Sequence, residues 1–424
     1  MAEGLLYVVR NALAEAWAVT ATATVDALFP LTNLYDGLPE TWASWTTSTQ
    51  KRVTGDLSRV RNPGFETASP ALEHWTSVDG GTGVSTRDTA VKQFGTASLK
   101  CVLGGSGAAG RRQNVVVRSG ELLELRLWMR QDGSGSGVVR ITNLDTDRRL
   151  SSGGQWLTVA GTFAASTVAD TAAAFVEKVV QFQVEPAAGG GVRDMTLEVQ
   201  LFTGLNSTVY YDDVTLDPAI NFGSMHGHNL PAGWTLRLAS SPTGAFAGEQ
   251  TNHTDLVPRQ PSFYAHLQSP VYDRHWGMVT IGTGIGAGGA APPQIPRYGQ
   301  MIFGHARELA ARPDWGFQTV YHKDQSRQRS PTGAQSVTGV GGARRRLARW
   351  SFHPDAEDDV MEIREEVLER CGYGERPIVI VPPLESSEVI MGILTEDHAV
   401  RRQFQESWET DLFVEELPFG RWIG

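Results

Sequence analysis

The sequence predicts a mainly β protein of several domains, with a small α/β region at its C-terminal end. Short alternating or compact apolar runs recur through residues 1–350, and glycine-rich clusters such as 104–110 and 151–154 separate them. Many short strands between such turns are typical of sandwiches and barrels. One amphipathic helical pattern follows, and the chain of 424 residues has the length of about two to four domains.

Strand-like runs make up most of the first 281 residues. Each is short and is bounded by Gly, Ser, Asn or Asp, and several alternate with period two, which places one face of a strand against a core. The predicted strands are 114–118, 122–129, 137–142, 156–163, 179–184, 195–202, 208–216, 233–238 and 277–281.

One helix is predicted over 353–371. Pro354 suits its first turn and Asp355 lies near the positive end of the helix dipole. From Val360 to Cys371 the apolar residues recur every three or four positions, which is one helical face. The apolar run 377–382 between prolines then predicts a buried strand. Further strands are expected at 390–394 and 399–417.

Composition excludes several classes of protein. The net charge of −10 argues against non-specific nucleic-acid binding by the whole molecule. Two cysteines, Cys101 and Cys371, are too few for a disulfide framework or a cysteine-based zinc site. No apolar run approaches 18 residues, so no membrane span is predicted. The first ten residues lack the basic start of a secretory signal, so a soluble protein made without a signal peptide is expected.

No motif assigns a catalytic residue. Gly284-x-Gly286-x-x-Gly289 matches a dinucleotide fingerprint in form, but the prolines that follow cannot open the required helix. Nucleophile-elbow, zincin and phosphate-loop motifs do not occur in the sequence. Glycoside hydrolysis by paired carboxylates stays open, because that chemistry needs spatial rather than sequential proximity. The expectation is that the protein is not an enzyme.

Residues 60–217 carry motifs at both ends. The segment opens with Asn62-Pro-Gly-Phe65-Glu66 and closes with Tyr211-Asp-Asp213-Val-Thr-Leu216. In these motifs and in its length, the segment resembles the jelly-roll carbohydrate-binding modules attached to many polysaccharide-degrading enzymes. The resemblance implies a β-sandwich whose function is to bind glycans.

The same resemblance implies a metal. In such modules, acidic residues at the places of Glu66 and Asp213, with backbone carbonyls, commonly hold a structural calcium ion. Hard oxygen ligands suit that ion. Pairing of the first and last strands would bring both carboxylates near one edge. The alternative is that Glu66 and Asp213 make only local hydrogen bonds.

Sugar binding requires exposed aromatic side chains that stack on a pyranose ring. Trp128 and Trp156 are the candidate ligand-binding residues. Both lie inside strand-like runs, so a place in the core is the alternative for each. Many domains of this shape bind no sugar and act as spacers or contact surfaces.

Two further segments flank this one. Asn33-Leu-Tyr-Asp-Gly-Leu-Pro39 precedes it and Gly227-His-Asn-Leu230 follows it. Joined together, they resemble a galactose-binding-like (discoidin-type) sandwich found in tail proteins of tailed bacteriophages. The resemblance implies a nested arrangement, since an insertion between two strands is sterically reasonable. The predicted domains are 1–59 and 218–311 (two parts of the discoidin-like sandwich), 60–217 (inserted jelly roll) and 312–424 (C-terminal α/β assembly domain).

Charge divides the last part of the chain. Residues 297–349 hold ten basic and three acidic side chains, whereas residues 350–424 hold eighteen acidic and six basic ones. Complementary surfaces of this kind suit contacts within the chain or between copies in an assembly. A solvated loop is the alternative for the basic run. The predicted interface residues are Arg344, Arg345, Arg346 and Arg349.

These observations predict a structural protein of a bacteriophage tail, at the distal tip or baseplate. It would be present in the virion in several copies after assembly in the host cytoplasm. Its expected partners are other tail proteins, copies of itself and, through the jelly roll, host cell-surface polysaccharide. Neither nucleic acid nor a membrane is an expected partner. The alternative is a carbohydrate-binding adhesin or an accessory module of a glycan-degrading system.

Overall fold

A computed structural model describes most of the chain. The described residues are 6–8, 11–16, 18–21, 25, 27–28, 30–35, 43–44, 52–67, 72–133, 136–158, 168–186, 193–203, 207–228, 230, 234–243, 250–256, 262–282, 297–309, 318–323, 326–329, 335–338, 344–352, 363–369, 377–382, 389–395, 401–404 and 407–417.

Two compact units make up the fold. Unit 1 comprises Met1–Asp56, Ile220–Val271 and His275–Gly424, and unit 2 comprises Leu57–Ala219 with Tyr272–Arg274. Unit 2 is thus an insertion within the sequence of unit 1.

The strands follow in chain order. Unit 1 begins with β1 (Leu6–Val8), β2 (Ala18–Ala21), β3 (Ala43–Ser44) and β4 (Arg52–Asp56), and with 3₁₀ turns at Ala12–Glu15 and Leu31–Leu34. Unit 2 contains β5 (Thr76–Ser77), β6 (Gly80–Asp88), β7 (Ser98–Ala108), β8 (Gly110–Arg118), β9 (Leu122–Gly133), β10 (Gly137–Asn143), β11 (Arg148–Leu150), β12 (Trp156–Thr158), β13 (Val168–Asp170), β14 (Val176–Gln183), β15 (Asp194–Thr203) and β16 (Ser207–Pro218).

The chain then returns to unit 1. Its remaining strands are β17 (Ile220–His228), β18 (Trp234–Ser241), β19 (Thr251–Leu256), β20 (Ser262–Val271), β21 (His275–Gly282), β22 (Arg297–Gly304), β23 (Arg307–Glu308), β24 (Gln318–Lys323), β25 (Ser326–Arg329), β26 (Gln335–Thr338), β27 (Arg344–Phe352), β28 (Ile378–Val381), β29 (Ile390–Leu394), β30 (Arg401–Phe404) and β31 (Ser407–Glu416).

Unit 2 is a sandwich of two antiparallel sheets. One has five strands in the order β14-β9-β16-β7-β6, and the other has seven, in the order β12-β11-β10-β15-β8-β5 with β13 beside β10. Alternation along each strand sends one set of side chains between the sheets. In β9 the inward set is Leu123, Leu125, Leu127 and Met129, which are fully or almost fully buried. The mainly β class predicted from the sequence is confirmed.

The ends of the insertion lie side by side within unit 2. The Arg59 N–H donates to the Leu216 carbonyl at 2.8 Å, and the Val214 N–H donates to the Pro63 carbonyl at 2.9 Å. The first residues of the inserted segment therefore run along its last strand, β16. This proximity is what allows a whole sandwich to interrupt another unit between consecutive strands.

Unit 1 contains three larger sheets. They are an eight-stranded sheet (β23-β1-β28-β29-β31-β27-β24, with β30 beside β31), a four-stranded sheet (β20-β17-β22-β3) and a five-stranded sheet (β19-β18-β21-β4-β2). Leu6–Val8 pairs with Ile378–Val381, so the start of the chain joins the sheet formed by its C-terminal part.

Both faces of the eight-stranded sheet are covered. On one face, Val367 and Leu368 of a π-helical turn (Ile363–Glu369) belong to the same buried cluster as Trp350. On the other face, Phe222 and Ile302 of the four-stranded sheet pack with Val379 and its neighbours. Because both faces of this sheet are covered, side chains on both faces of β28 are buried. This accounts for the continuous apolar run of that strand.

The predicted helix overlaps the observed helical turn, and the rest of 353–371 lies outside the described residues. The three predicted domain boundaries stay a prediction, although the compact unit Leu57–Ala219 is close to the predicted insert 60–217. Residues 312–424 group with the rest of unit 1. Across the described part of the chain, no helix has the length and hydropathy of a membrane span.

Candidate functional site

The five-stranded sheet of unit 2 has one face directed away from its core. Because side chains alternate along β9, Arg126, Trp128 and Arg130 point opposite to the buried Leu127 and Met129. The register places Trp128 beside Asp212 of β16 and beside Glu177 of β14. Trp128 is therefore half-buried on the outward face instead of lying in the core.

A second aromatic ring meets Trp128 on this face. Phe94 is 44% exposed and lies in the loop between β6 and β7. Its ring centroid is 5.5 Å from that of Trp128, with an angle of 82° between the rings. This edge-to-face geometry is a favourable arrangement for an aromatic pair. The pair leaves apolar surface exposed, and we name the outward face that carries it the aromatic face.

A buried carboxylate fixes the position of Phe94. Asp212 is 1% exposed, and its Oδ2 accepts hydrogen bonds from the backbone N–H groups of Gln93 at 2.7 Å and Phe94 at 3.0 Å. Its Oδ1 accepts from the Asp213 N–H at 2.8 Å. Burial raises the pKa of the Asp212 carboxyl to about 6, although the three N–H donors act to lower it. The residue beside Trp128 in the sheet thus also holds the loop that carries Phe94.

Charged groups surround the aromatic pair. Arg126 bridges Glu124 at 2.7 Å and Glu177 at 2.8 Å. Two residues after Trp128 on β9, Arg130 forms an ion pair with Asp132 at 3.0 Å. Carboxylates and guanidinium groups are planar and offer paired acceptors or donors. The aromatic face therefore combines an apolar platform with directional hydrogen-bonding groups.

Tyr210 of β16 lies directly opposite Arg130 of β9 in the sheet. It is 5% exposed, and its ring lies between two cations: Lys100 Nζ is 5.7 Å from the ring centroid and Arg130 Cζ is 5.8 Å from it. Contacts of this kind hold the cationic side chains over the sheet. These three residues extend the aromatic face across β7, β16 and β9.

Trp156 lies elsewhere in unit 2. Its indole packs against the core, with its ring centroid 5.9 Å from that of Phe182. Its Nε1–H donates to the Gln183 carbonyl at 2.8 Å. The structure does not bring Trp156 together with Trp128, and the prediction that Trp156 binds a ligand stays a prediction.

Glu66 and Asp213, the predicted calcium ligands, have separate partners. The Glu66 carboxylate accepts from the Thr96 N–H at 3.0 Å and from the Thr96 hydroxyl. Asp213 Oδ1 lies 3.5 Å from Arg274 Nη1. The carbonyls of Thr89 and Thr96 both accept from the ammonium of Lys92, at 3.1 and 3.5 Å.

These contacts do not supply the shared, open oxygen set that a calcium ion held by both carboxylates would require. Among the described residues, no group of three or more His, Cys, Asp or Glu is positioned to hold a metal ion. Calcium stays a prediction, to be tested with a chelator.

The predicted interface arginines lie on β27 of unit 1. Arg349 pairs with Asp411 of β31 at 2.8 Å and lies over the Phe413 ring at 5.1 Å. Arg344, Arg345 and Arg346 pair through the backbone with Lys323, His322 and Tyr321 of β24. Their role at a subunit interface stays a prediction.

Phe94 and Asp212 are not predicted from the sequence. Phe94 stands in a polar loop without strand pattern, and Asp212 is the neighbour of the acidic residue to which the calcium role was given. The alternation Leu-Arg-Leu-Trp-Met-Arg could have indicated that Trp128 and Leu127 face opposite sides. It could not have indicated which loop approaches Trp128.

Comparisons with known proteins give weak similarities to solved structures. No protein-family profile matches it, and no curated protein matches it. Among solved structures, the enzymatically active domain of tailspike protein 4 from bacteriophage CBA120 is 16% identical with a TM-score of 0.28, over 38% of this chain and 21% of that chain. This chain therefore spans about a fifth of the tailspike chain that it matches.

Two binding modules of known structure are similar to this chain with comparably low identities and TM-scores. The CBM22-1 xylan-binding domain from Paenibacillus barcinonensis is 16% identical with a TM-score of 0.26, over 37% of this chain and 90% of that chain. TmCBM61, solved with β-1,4-galactotriose, is 12% identical with a TM-score of 0.23, over 38% of this chain and 98% of that chain. Similarities at this level carry no functional conclusion, and the sandwich of unit 2 is defined by its own two sheets.

Proposed function

We propose that this chain is a non-catalytic glycan-binding component of a bacteriophage tail, in which the aromatic face of unit 2 binds polysaccharide. The observation that carries the glycan-binding part is the pair formed by exposed Phe94 and half-buried Trp128 on an outward sheet face. A place in a core would account for a strand tryptophan, but the alternation of β9 directs Trp128 away from the core.

The chemistry of a sugar matches this surface. One side of a pyranose ring presents C–H groups, which pack on an aromatic ring, while its edge presents hydroxyl groups that both donate and accept. Phe94 and Trp128 offer the apolar platform. Glu177, Arg126 and Arg130 stand at its border and offer hydrogen bonds to hydroxyl groups. A small number of directed polar groups around an apolar surface is the usual composition of a small-molecule site.

Unit 2 is a separate compact unit, which supports its use as a self-contained binding element. The inserted segment enters and leaves along one strand, through the hydrogen bonds of Arg59 and Val214. Unit 1 would then provide assembly contacts with copies of itself and with other tail proteins, at the distal tip or baseplate of the virion. The resemblance of its flanking segments to discoidin-like tail domains supports this assignment.

Binding is tested with the full chain and a panel of neutral polysaccharides, by affinity electrophoresis and calorimetry. We expect at least one polysaccharide to bind, with no release of reducing ends. Trp128→Ala and Phe94→Ala should each weaken binding at least tenfold, because each removes half of the platform.

Val116→Ala is the matched control. Val116 is 59% exposed on the outward face of the seven-stranded sheet, so the substitution trims an exposed apolar side chain without touching the aromatic face. Unchanged binding by Trp128→Ala would overturn the assignment of the aromatic face. Failure of every polysaccharide in the panel would overturn the binding function itself.

The tail assignment has a separate test. Antibodies raised against unit 2 should decorate the tail end of purified source particles in negative stain. If the antibodies bind no part of the particle, the virion role is overturned. The glycan-binding result is not affected by that outcome.

A further inference from the structure

The seven-stranded sheet of unit 2 has its own outward face, and this face is cationic. Alternation and register direct Arg112 of β8, Arg140 of β10 and Arg149 of β11 to the same side, opposite to the buried Val139, Ile141 and Leu150. We name this outward face the arginine face.

Two of these arginines are close neighbours. Arg149 pairs directly with Thr142, which stands two residues after Arg140 on the same strand, so the two arginines are diagonal neighbours. Burial lowers the pKa of Arg140, and the charge of Arg149 lowers it further. Two like charges held beside each other on one sheet are destabilising unless an anion lies near both.

Among the described residues of unit 2, little negative charge lies near Arg140 and Arg149 to offset their positive charges. Glu198 is the carboxylate that acts on Arg140, but its Oε2 already accepts from Arg112 Nη1 at 2.9 Å. The Nε atoms of Arg140 and Arg149 have no hydrogen-bond partner among the described residues. Arg112 and Arg140 thus share the Glu198 carboxylate, which leaves excess positive charge between Arg140 and Arg149 on the described part of this face.

The position of Arg140 is fixed by two contacts. Its guanidinium lies over the Phe202 ring at 4.6 Å, and its Nη1 donates to Gln200 Oε1 at 3.4 Å. With Oε1 engaged, the amide nitrogen of Gln200 remains a donor beside Arg140, its partner in the sheet register. A guanidinium stacked on a ring loses little further freedom when it binds a ligand.

We propose that Arg140, Arg149 and Gln200 form a second binding site in unit 2, for the oxyanion group of an acidic polysaccharide. Guanidinium groups bind carboxylate, sulfate and phosphate through paired N–H···O bonds. An oxyanion between Arg140 and Arg149 would accept from both and neutralise their repulsion. The site lies on the other sheet from the aromatic face, so it does not depend on the function proposed for that face.

The test uses the full chain and four probes: polygalacturonate, a neutral polysaccharide, inorganic sulfate and a single-stranded oligonucleotide. We expect polygalacturonate to bind with an affinity that falls as salt is raised, and sulfate to compete with it. Arg149→Gln should weaken this binding at least tenfold. Sulfate should leave binding of the neutral polysaccharide unchanged, which separates this site from the aromatic face.

Arg193→Gln is the control for charge, because Arg193 is exposed in unit 2 and lies just before β15, outside the site. Arg140→Gln is a second site variant, and a thermal melt checks that loss of its contact with Phe202 leaves unit 2 folded. An equal loss of binding from Arg193→Gln would overturn the proposal, since it would show non-specific attraction. Binding of sulfate alone, or equal binding of the oligonucleotide, would also overturn the polysaccharide assignment.

Discussion

At the scale of single residues, Asp212 connects the loop of Phe94 to the sheet that carries Trp128. Its carboxylate oxygens accept three backbone N–H groups while the side chain is 1% exposed. Removing a charged group from water favours its protonated form, and N–H donors favour the ionised form. Desolvation is the larger effect here, because the pKa rises from 3.8 to about 6.

This shift predicts a pH-dependent stability. A carboxyl whose pKa is higher in the folded chain binds its proton more tightly when folded, so its stabilising contribution is complete below pH 3.8 and is lost as the pH rises through about 6. The wild type should therefore gain stability relative to Asp212→Asn between pH 7.5 and pH 4.5, as measured by thermal melts. Asp194→Asn, an exposed carboxylate paired with Arg118, controls for the loss of one carboxyl. A constant difference in melting temperature between wild type and Asp212→Asn would contradict this prediction.

At the scale of elements, β16 holds the two sheets of unit 2 together. Tyr211 points inward from the five-stranded sheet and is fully buried. Its hydroxyl accepts from the Val138 N–H at 2.8 Å and lies 2.5 Å from the Phe202 carbonyl, both in the seven-stranded sheet. One residue further, a bulge begins, and Asp213 adopts a left-handed conformation with φ 46. This irregular backbone conformation provides the N–H that Asp212 accepts.

Tyr211→Phe should destabilise unit 2. The ring would still fill its place, but the buried Val138 N–H would lose its acceptor, which costs about 1–3 kcal/mol. For a domain of this size, each kcal/mol lowers the melting temperature by about 2–4 °C. Tyr210→Phe is the matched control on the outward side of the same strand, and it should melt close to the wild type. Equal melting of Tyr211→Phe and Tyr210→Phe would show that the cross-sheet bonds contribute nothing measurable.

At the scale of the whole molecule, one compact unit interrupts the sequence of another. Unit 2 has its own two-sheet core, and its first residues bond to its last strand. Such a unit has what a domain needs in order to fold alone. Tyr272–Arg274 also belongs to unit 2, through the Leu57 N–H bond to the Arg274 carbonyl at 2.8 Å and the pair Arg274–Asp213.

Residues 57–219 expressed alone should therefore give a β-rich monomer with one cooperative melt. The sequence predicts calcium at Glu66 and Asp213, so a chelator should lower that melting temperature and added calcium should restore it, since a ligand of the native state stabilises it by mass action. An unchanged melting temperature would instead show that the contacts of Glu66 with Thr96 and of Asp213 with Arg274 need no metal. A fragment without a cooperative transition would refute the independence of unit 2.

The sequence alone predicts the mainly β class and most strand positions in unit 2, and it predicts an insertion over 60–217. These follow from period-two alternation, from glycine-rich turns and from the motifs around Glu66 and Asp213, all of which act over a few residues. The sequence also placed Trp128 and Trp156 in strands, and it could go no further, because either face of a strand can be the buried one.

Packing between distant segments determines which tryptophan faces outward and which residue contacts it. Trp156 packs beside Phe182 on the core, whereas Trp128 meets Phe94, a loop residue held by Asp212 more than a hundred positions later. It likewise placed Leu6–Val8 beside Ile378–Val381. These choices depend on which surfaces exclude water together and which buried groups find hydrogen-bond partners, and both are settled between segments far apart in the chain.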